Sequence, residues 1–308
     1  MQPDRLKLPN TGALERGCDL CGALTARELY TAKDRLRNSD EVFVVARCEG
    51  CGVLRTLPEM SDRELAGFYP NDYWGDEPSN EWIRESQAEK TSFLKSCGLT
   101  NGRLLDVGCG AGFFLRALEA TRWRRFGIEI GGPAARSAAH ALGDGSVFEG
   151  SLLDARFESG SFDVMTMWSA LEHMNTPRAL LIEARRIIKR GGSLLVQAPN
   201  AGGYQLRLFG GDWFALDAPR HRYHFSMARL EALLAETGFE VYARTLDSRS
   251  HNAHALRQSL KLRLKRKGYP VFAAFYVAIP FVRPFDWAMS RLAGGATITV
   301  AARAVRDS

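Results

Sequence analysis

The sequence predicts an α/β protein built on a doubly wound sheet, with a small cysteine-rich ribbon before it. One observation is the stretch from Arg103 to Leu115, RLLDVGCGAGFFL, where an apolar run, three glycines and a helical pattern follow one another. A strand, a glycine turn and a helix in this order form the first unit of a doubly wound fold. The other observations are the strand and helix patterns that alternate after it and two pairs of cysteines near the N-terminus.

Length and composition are those of an ordinary globular protein. The chain has 308 residues, of which 45% are hydrophobic and 25% charged, enough for one large domain and one small one. The formal charge of +6 permits an anionic partner but does not require one. Charged residues, among them Asp4, Arg5 and Lys7, interrupt the opening segment, so we expect no secretory signal and a cytoplasmic protein.

Four cysteines form two C-x-x-C-G pairs, and we predict a zinc ribbon over residues 1–60. Two short turns of this kind place four thiolates around one zinc ion, and residues 41–48 are typical of a strand between them. A site closed by four thiolates has no open position for a substrate, which indicates a structural role. Paired disulfides and a redox dithiol are the alternatives, and they fit a cytoplasmic chain less well. The predicted ligands are Cys18, Cys21, Cys48 and Cys51.

Residues 61–98 are predicted to link the ribbon to the main domain. Ser61 and Glu64 form a capping-box pattern that opens a short helix, and residues 81–96 have a helical pattern. Between them lies the turn-rich segment FYPNDYWGDEP. Its aromatic residues either pack the junction between the domains or cover a ligand.

The glycine turn contains Gly108, Gly110 and Gly112, but Phe113 stands where a dinucleotide-binding turn has its third glycine. The string LLDVGCGAG instead resembles motif I of the class I S-adenosylmethionine (SAM)-dependent methyltransferases. The resemblance implies a Rossmann-like, doubly wound seven-stranded sheet whose last strand is antiparallel. It also implies that the glycine turn and Phe113 wrap the methionine part of the cofactor, with Asp106 as the acid that ends the first strand.

Further cofactor contacts are expected at the carboxyl ends of the next strands. Glu129 ends the second strand, where a carboxylate accepts hydrogen bonds from both ribose hydroxyls. Ser151 and Leu152 follow the third strand, where the family holds adenine, although the usual acid is missing there. The resemblance further implies that Trp168, at the end of the fourth strand, borders the cofactor and that Tyr73 belongs to a lid over its methionine end.

The remaining core elements follow from hydrophobic patterns and from proline and glycine positions. A helix from Pro177 is predicted to end at Gly191–Gly192, and a helix capped by Ser226 to end at Gly238. The main domain is then 99–308, with a first insertion at 200–226 and a second at 248–295. The predicted core strands cover 104–107, 124–130, 147–150, 161–168, 193–200, 239–246 and 296–302.

Three histidines are candidates for the chemistry of methyl transfer. His173 lies in the segment LEH after the fourth strand, and His221 and His224 lie in the first insertion. The arrangement of His221, Phe225 and Ser226 resembles a segment of small-molecule and glycan methyltransferases. A histidine near neutral pKa suits the removal of a proton from an alcohol acceptor. We expect His221 to be the general base, with His224, His173 or a purely structural role as alternatives.

The second insertion combines a basic cluster, residues 257–267, with the uncharged segment GYPVFAAFYVAIPFV at 268–282. The uncharged segment is shorter than the about 20 residues that span a bilayer, and Pro270 and Pro280 interrupt it. We expect helices that cover the mouth of the substrate site. The alternative is peripheral contact of residues 257–292 with the inner face of a membrane.

Together these patterns predict an enzyme, a SAM-dependent methyltransferase that also binds structural zinc. The expected acceptor is a small molecule, a sugar or a lipid- or nucleotide-linked glycan, methylated on oxygen or carbon. An RNA methyltransferase is the alternative among enzymes. However, residues 168–171 lack the [N/D/S]-P-P-[Y/F/W] motif for base amines, so nucleic acid is not the expected partner. A non-catalytic SAM- or zinc-binding partner protein is the alternative outside enzymes.

Overall fold

The computed structural model describes residues 17–36, 41–69, 78–246, 249–266 and 284–305, which contain two β-sheets. The smaller sheet contains β1 (Ala26–Lys33), β2 (Val42–Cys48), β3 (Leu54–Leu57) and β9 (Tyr223–His224). The larger sheet contains β4 (Gly102–Val107), β5 (Trp123–Glu129), β6 (Val147–Glu149), β7 (Phe162–Trp168), β8 (Ile188–Pro199), β10 (Phe239–Thr245) and β11 (Thr297–Ala304). The helices are α1 (Asp62–Ala66), α2 (Asn80–Ser86), α3 (Ala88–Ser96), α4 (Phe113–Ala117), α5 (Pro133–Leu142), α6 (Pro177–Ile187), α7 (Tyr204–Phe209), α8 (Met227–Glu236), α9 (Arg249–Arg266) and α10 (284–293), with short 3₁₀ turns at Leu171–His173, Gly210–Asp212 and Phe214–Leu216.

The larger sheet has the strand order β10-β11-β8-β7-β4-β5-β6 within the described ranges, and β11 is antiparallel to both of its neighbours. The pairs from β8 to β6 are all parallel. The chain reverses its direction of winding between β4 and β7, and open α/β sheets bind ligands at such a point. The seven-stranded, doubly wound sheet with an antiparallel last strand is therefore confirmed.

Strands β4, β7 and β8 lie in the middle of this sheet, and their sequences are largely apolar. Leu105, Met165 and Val196 are fully buried in the main core. Because both faces of these strands are covered, their sequences read as continuous apolar runs rather than as alternating patterns. The core thus fixes the carboxyl ends of the strands, where the predicted site residues lie.

The smaller sheet joins the ribbon to the first insertion. Its order is β1-β2-β3-β9, and β9 comes from the insertion. The antiparallel pairing places Leu54 opposite His224 and Arg55 opposite Tyr223. The backbone N–H of Thr56 also donates to the carbonyl oxygen of residue 222, at 2.9 Å. The predicted domain boundaries stay predictions, and hydrogen bonds of this sheet cross the one at residue 60.

One helix end differs from the expectation. Helix α6 ends at Ile187, so the prediction that Gly191 and Gly192 close it is wrong. Both glycines lie in β8, where the pairing with β7 shifts register. Gly191 has φ +75°, and a Cβ on Gly192 would lie 2.8 Å from the carbonyl oxygen of Asp163. The two glycines therefore allow an irregularity within a strand and do not form a helix C-cap.

Other local predictions agree with the structure more closely. The helical pattern at 81–96 forms two helices, α2 and α3, which meet at Gln87. The caps at Ser61 and Ser226 are confirmed, because each Oγ accepts a hydrogen bond from the backbone N–H three residues later, at 3.2 Å. Such caps satisfy N–H groups that have no partner within the helix.

Helix α9 belongs to the second insertion and carries part of its basic cluster. Arg263 and Arg266 both approach Asp212 of the first insertion, at 3.4 and 2.7 Å. The two insertions are therefore in contact through charged side chains. In the part of the chain that the structure describes, no helix is long and apolar enough to cross a membrane. The uncharged segment at 268–282 and the predicted lid residue Tyr73 lie outside the described residues.

Candidate active site

A cavity of about 410 Å³ lies at the carboxyl edge of the larger sheet. Strands β4 and β7 end at it, and the glycine turn, the 3₁₀ turn after β7, the first insertion, α3 and α9 supply its walls. Pockets that bind small molecules typically measure about 300–1,000 Å³. The cavity is therefore large enough for such a ligand, and it lies where the fold places ligand sites.

The glycine turn forms one wall of the cavity and requires glycine at several positions. Gly108 and Gly110 have φ of +71° and +55°, in the left-handed region. A Cβ on Gly108 would lie 2.8 Å from the Cβ of Ala170, closer than side chains pack. Gly112 begins α4 with φ +75°, and a Cβ there would lie 3.2 Å from that of Ala138. The backbone of the turn can therefore approach a ligand directly, and the residues present fit a cofactor held in this way.

Asp106 is buried at the end of β4 and borders the cavity. The hydroxyl of Thr166 donates a hydrogen bond of 2.6 Å to its carboxyl group. Burial raises the pKa of Asp106 to about 7, although Thr166 and the cation of Lys90 act in the opposite direction. Asp106 is thus a polar group at the base of the glycine turn, as the resemblance implied.

Glu129 lies half-buried at the end of β5, beside the glycine turn. Its two carboxylate oxygens accept hydrogen bonds from the backbone N–H groups of Gly110 and Ile130, at 2.8 and 2.9 Å. Burial raises the pKa of this carboxyl group. An ionised carboxylate has about four acceptor positions, so these two bonds leave room for ribose hydroxyls. The ribose contact stays a prediction, because Glu129 is not among the residues that border the cavity.

Lys90 on α3 borders the cavity, and the sequence analysis did not single it out. Its Nζ lies 5.7 Å from the ring centroid of Trp168, which packs edge-on against Phe114. Burial lowers the pKa of Lys90, while Asp106 raises it. A lysine on a helix has no distinctive pattern in a sequence. Only the packing of α3 against the carboxyl edge of the sheet reveals its position.

The other predicted cofactor residues fall into two groups. Phe113 and Trp168 border the cavity. Ser151 and Leu152 follow β6 and are not among the residues that border it. The hydroxyl of Ser151 instead donates to Asp154, at 2.5 Å. The adenine contacts therefore stay predictions.

His173 and His221 face the same cavity, with ring centroids 4.6 Å apart. Nδ1 of His221 lies 2.9 Å from the carbonyl oxygen of Ala215, and Nδ1 of His173 lies 3.0 Å from the carbonyl oxygen of Arg220 and 3.1 Å from the hydroxyl of Tyr69. A carbonyl oxygen only accepts hydrogen bonds, so Nδ1 of His221 carries the hydrogen. Burial lowers the pKa of His173 to about 4 and that of His221 well below its ordinary value. Both rings are neutral, and that of His221 keeps a lone pair on Nε2.

Glu172 completes a group of three side chains with these histidines. It is 1% exposed, and neither of its carboxyl oxygens has a hydrogen-bond partner among the described residues. Burial raises its pKa to about 8. One oxygen of Glu172 and one ring nitrogen each of His173 and His221 lie within 4.8 Å of one another. The sequence analysis quoted Glu172 in the segment LEH but assigned it no role.

A buried ion network supports this wall of the cavity from the ribbon. The side chain of Arg220 contacts Asp34 at 2.8 Å and Asp217 at 2.6 Å. Arg35, which borders the cavity, approaches Asp217 at 3.0 Å. Burial opposes ionisation of Asp217, but the cations of Arg35 and Arg220 hold its pKa below the ordinary value. Two ribbon residues therefore help to position the segment that carries His221.

His224 has a different setting from the other two candidate histidines. It is buried in β9 and is not among the residues that border the cavity. Its Nε2 lies 3.0 Å from the hydroxyl of Thr56, which donates to the carbonyl oxygen of His221 at 2.6 Å. The structure thus places His224 in the contact between the ribbon and the insertion. A catalytic role for it stays a prediction.

The four predicted zinc ligands come together at one end of the ribbon. Their sulfur atoms all lie within 4.8 Å of one another, with Cys18 and Cys51 3.8 Å apart and Cys21 and Cys48 3.6 Å apart. Tetrahedral coordination with zinc–sulfur bonds of about 2.3 Å requires sulfur separations of about 3.8 Å. All four are free thiols. The glycine after each pair has positive φ, +74° and +75°, as the turns require. The donors therefore fit one zinc ion.

The residues that sequence reasoning missed come from regions far apart in the chain. Arg35 follows β1, Asp217 lies in the first insertion, and His251 and His254 lie on α9 of the second. A usable signal existed for the last two, because residues three apart share a face of a helix. The others carry no local pattern that connects them with the glycine turn.

The seven-stranded sheet and the cavity at its carboxyl edge are the arrangement that the resemblance to SAM-dependent methyltransferases implied. Residues 73–244, more than half of the chain, match a family model described as a methyltransferase domain. The chain belongs to this methyltransferase family, and the expectation of an enzyme that uses SAM is confirmed.

Two relatives and one solved structure illustrate the similarity. The ubiquinone biosynthesis O-methyltransferase of Nitrosococcus oceani is 27% identical over 202 residues, which are 60% of this chain and 85% of the relative. The enzyme of the same description from Pseudomonas aeruginosa is 28% identical over 199 residues, covering 60% and 86%. The phospholethanolamine N-methyltransferase 2 of Haemonchus contortus, in complex with phosphomonomethylethanolamine and S-adenosylhomocysteine, has a TM-score of 0.53 and 15% identity over 82% of this chain and 62% of its own. The last comparison supports the fold.

Proposed function

We propose that this enzyme transfers a methyl group from SAM to a hydroxyl oxygen of a small-molecule acceptor. The observation that carries the proposal is that the same cavity borders the glycine turn on one side and Glu172, His173 and His221 on the other. We call these last three residues and Asp217 the acceptor wall. Methyl transfer requires the acceptor atom in line with the sulfonium methyl, so both ligands must share one enclosed space.

The cofactor is proposed to lie along the glycine turn. Backbone groups of Gly108 and Gly110 would hold its methionine part, and Glu129 its ribose. Lys90 borders the cavity and interacts electrostatically with Asp106, and its cation suits the methionine carboxylate. When bound, SAM supplies an electrophilic methyl group on a positively charged sulfur.

The acceptor is proposed to be a ring that carries a hydroxyl group. The names of the two relatives favour O-methylation of a phenolic ring over the sugar or glycan that the sequence analysis expected. Phe214, an aromatic side chain of the first insertion that borders the cavity, suits contact with such a ring. The expectation that His221 removes the hydroxyl proton stays a prediction.

The cysteine site is proposed to hold one structural zinc ion. Its support is the arrangement of four sulfur atoms around a common centre. Because four thiolates leave no open position, zinc would stabilise the ribbon and take no part in methyl transfer.

The test is a methyl-transfer assay with SAM labelled in its methyl group. Simple catechols and other phenols, sugar nucleotides, lipid-linked glycans and RNA are offered separately, and the labelled product is identified by mass spectrometry. We expect label on a phenolic oxygen. His221→Ala should slow this reaction by about 10²–10⁴-fold, the range that a group acting on the proton contributes. His140→Ala, a change of an exposed histidine on α5, is the control. Label only on sugars or only on RNA would contradict the proposed acceptor.

A further inference from the structure

Glu172 is unusual because a buried carboxyl group has no partner. Its side chain is 1% exposed and borders the cavity, and neither oxygen accepts or donates a hydrogen bond within the described ranges. An unpaired polar group in such a place is costly, and buried charges in proteins are normally paired or bind metal ions. The side chain therefore points to a ligand that the protein atoms do not supply.

Both neighbouring imidazoles are held at Nδ1. His221 donates Nδ1–H to the carbonyl oxygen of Ala215, at 2.9 Å, and Nδ1 of His173 contacts the carbonyl oxygen of Arg220 at 3.0 Å and the hydroxyl of Tyr69 at 3.1 Å. Histidines that bind metals usually hold their other ring nitrogen in this way, which fixes the ring and directs the free lone pair at the ion. Three donor atoms of Glu172, His173 and His221 lie within 4.8 Å of one another.

We propose that Glu172, His173 and His221 bind a divalent cation at the acceptor wall. Two imidazoles and one carboxylate, with the remaining positions open, favour a first-row transition ion over magnesium or calcium, which prefer oxygen ligands. All three residues border the cavity that also borders the glycine turn. Asp217 lies 3.8 Å from Nε2 of His221, but Arg35 and Arg220 offset its charge, so Glu172 supplies the carboxylate of the site.

The site is independent of the cysteine site in its chemistry. The ribbon offers four sulfur donors, whereas the acceptor wall offers two nitrogens and oxygen. The closed sulfur site suits a structural ion. The site at the acceptor wall keeps positions for a substrate oxygen, as catalytic metal sites do.

The role of the cation in methyl transfer rests on the proposed function. The cation would bind the acceptor hydroxyl and lower the pKa of that hydroxyl. The proton then leaves the hydroxyl for solvent. The electron pair of the oxygen forms the bond to the methyl carbon, while the carbon–sulfur bond breaks and its pair stays on sulfur as S-adenosylhomocysteine forms. A ring with two adjacent hydroxyls would bind such a cation through both oxygens. In this account His221 is a ligand and not the base.

The experiment is a titration of the zinc-loaded full-length protein with Co²⁺, followed by visible absorption and calorimetry. We expect one additional Co²⁺ per chain, with weak bands typical of nitrogen and oxygen ligands. Intense thiolate-to-cobalt bands should be absent, because the ribbon keeps its zinc. Glu172→Gln and His221→Ala should each weaken Co²⁺ binding by at least about tenfold, since even changes behind the ligands cost 10–100-fold.

Two matched variants control for general effects on the fold. His140→Ala alters an exposed histidine on α5, and Glu240→Gln alters an exposed acid on β10. Both should keep the wild-type affinity for Co²⁺. The proposal is overturned if no additional Co²⁺ binds, if it binds with thiolate bands alone, or if Glu172→Gln leaves the affinity unchanged.

SAM binding, measured by calorimetry on the same samples without Co²⁺, separates this inference from the proposed function. Wild-type protein that binds SAM but not Co²⁺ would contradict only the cation site. Wild-type protein that binds Co²⁺ at the acceptor wall but not SAM would contradict the proposed function and leave the cation site in place.

Discussion

The two sides of the cavity are built in different ways. The side that we assign to the cofactor consists largely of one continuous stretch, 103–115, and depends on the backbone of its glycines. The acceptor wall brings together Glu172 from the turn after β7 with Asp217 and His221 from the first insertion, and Arg35 of the ribbon supports it. A local motif therefore determines one side, and long-range packing determines the other. The difference predicts that distant changes in the ribbon affect the acceptor more than the cofactor.

The largest expected effect is the loss of a ribbon cysteine. Cys48→Ser should release zinc and unfold the ribbon, because structural zinc supplies about 10–16 kcal/mol of folding free energy in small zinc domains. The amide of Thr56, which donates to the carbonyl oxygen of residue 222, should then exchange its hydrogen faster. Metal analysis and hydrogen exchange measure the two effects. Cys97→Ser, outside the ribbon, is the control, and SAM affinity should change little in both variants. Zinc-free protein with slow exchange at Thr56 would contradict the expectation that zinc in the ribbon stabilises the contact between the ribbon and the first insertion.

The second effect concerns the ion network between the ribbon and the insertion. Arg220→Met leaves Asp34 and Asp217 buried without their shared cation. Breaking a buried pair in this way costs about 3–5 kcal/mol of unfolding free energy. Denaturant unfolding measures the loss. The control is Arg122→Met, which removes an exposed pair with Glu119 and should cost about 0–1 kcal/mol. Equal losses in the two variants would show that the network does not stabilise this wall.

The contacts that these two variants test were not predicted from the sequence. The strands of the larger sheet, the glycine turn and the four cysteines were predicted because each depends on neighbouring residues and on a short pattern. The pairing of β3 with β9, the ion network of Asp34 and Arg220, and the position of Lys90 were not. They depend on contacts between residues far apart in the chain, and a single sequence contains no periodicity that reports such contacts.

His173 and His221 show the same limit in another way. Both were candidates because histidine suits proton transfer, and the structure places both at the cavity. Their distance from Glu172, and the carbonyl groups that orient them, became visible only in the folded chain. His224 was an alternative candidate from the sequence, and its ring contacts Thr56 of the ribbon.

A third, smaller effect is expected at the glycine turn itself. Gly108→Ala adds a Cβ that would lie 2.8 Å from that of Ala170, and it strains a backbone with φ +71°. The turn must shift, so calorimetry should show SAM binding weakened by about tenfold or more, or at least 1.4 kcal/mol. Gly98→Ala is the matched control, since φ there is +76° but no atom lies near the added Cβ. If both variants bind SAM equally well, the turn does not hold the cofactor.

The smallest effect is expected when the charge of Glu129 is removed. Glu129→Gln keeps the shape of the side chain but offers only one acceptor oxygen to Gly110, Ile130 and the ribose. A hydrogen bond to a charged group contributes about 1.5–3 kcal/mol, so SAM affinity should fall by about tenfold. Glu240→Gln on β10 should leave it unchanged. If Glu129→Gln binds SAM with unaltered affinity, Glu129 does not bind the ribose. The other proposed cofactor contacts would not be affected by this result.

The most direct test of the account is a crystal structure of the protein with S-adenosylhomocysteine. The account predicts that the homocysteine part lies against Gly108 and Gly110 and that its sulfur faces the acceptor wall across the cavity. The ribose should contact Glu129, and the amino-acid carboxylate should lie near Lys90. S-adenosylhomocysteine bound outside this cavity, or with its sulfur turned away from Glu172, His173 and His221, would contradict the central claim that one cavity serves both cofactor and acceptor.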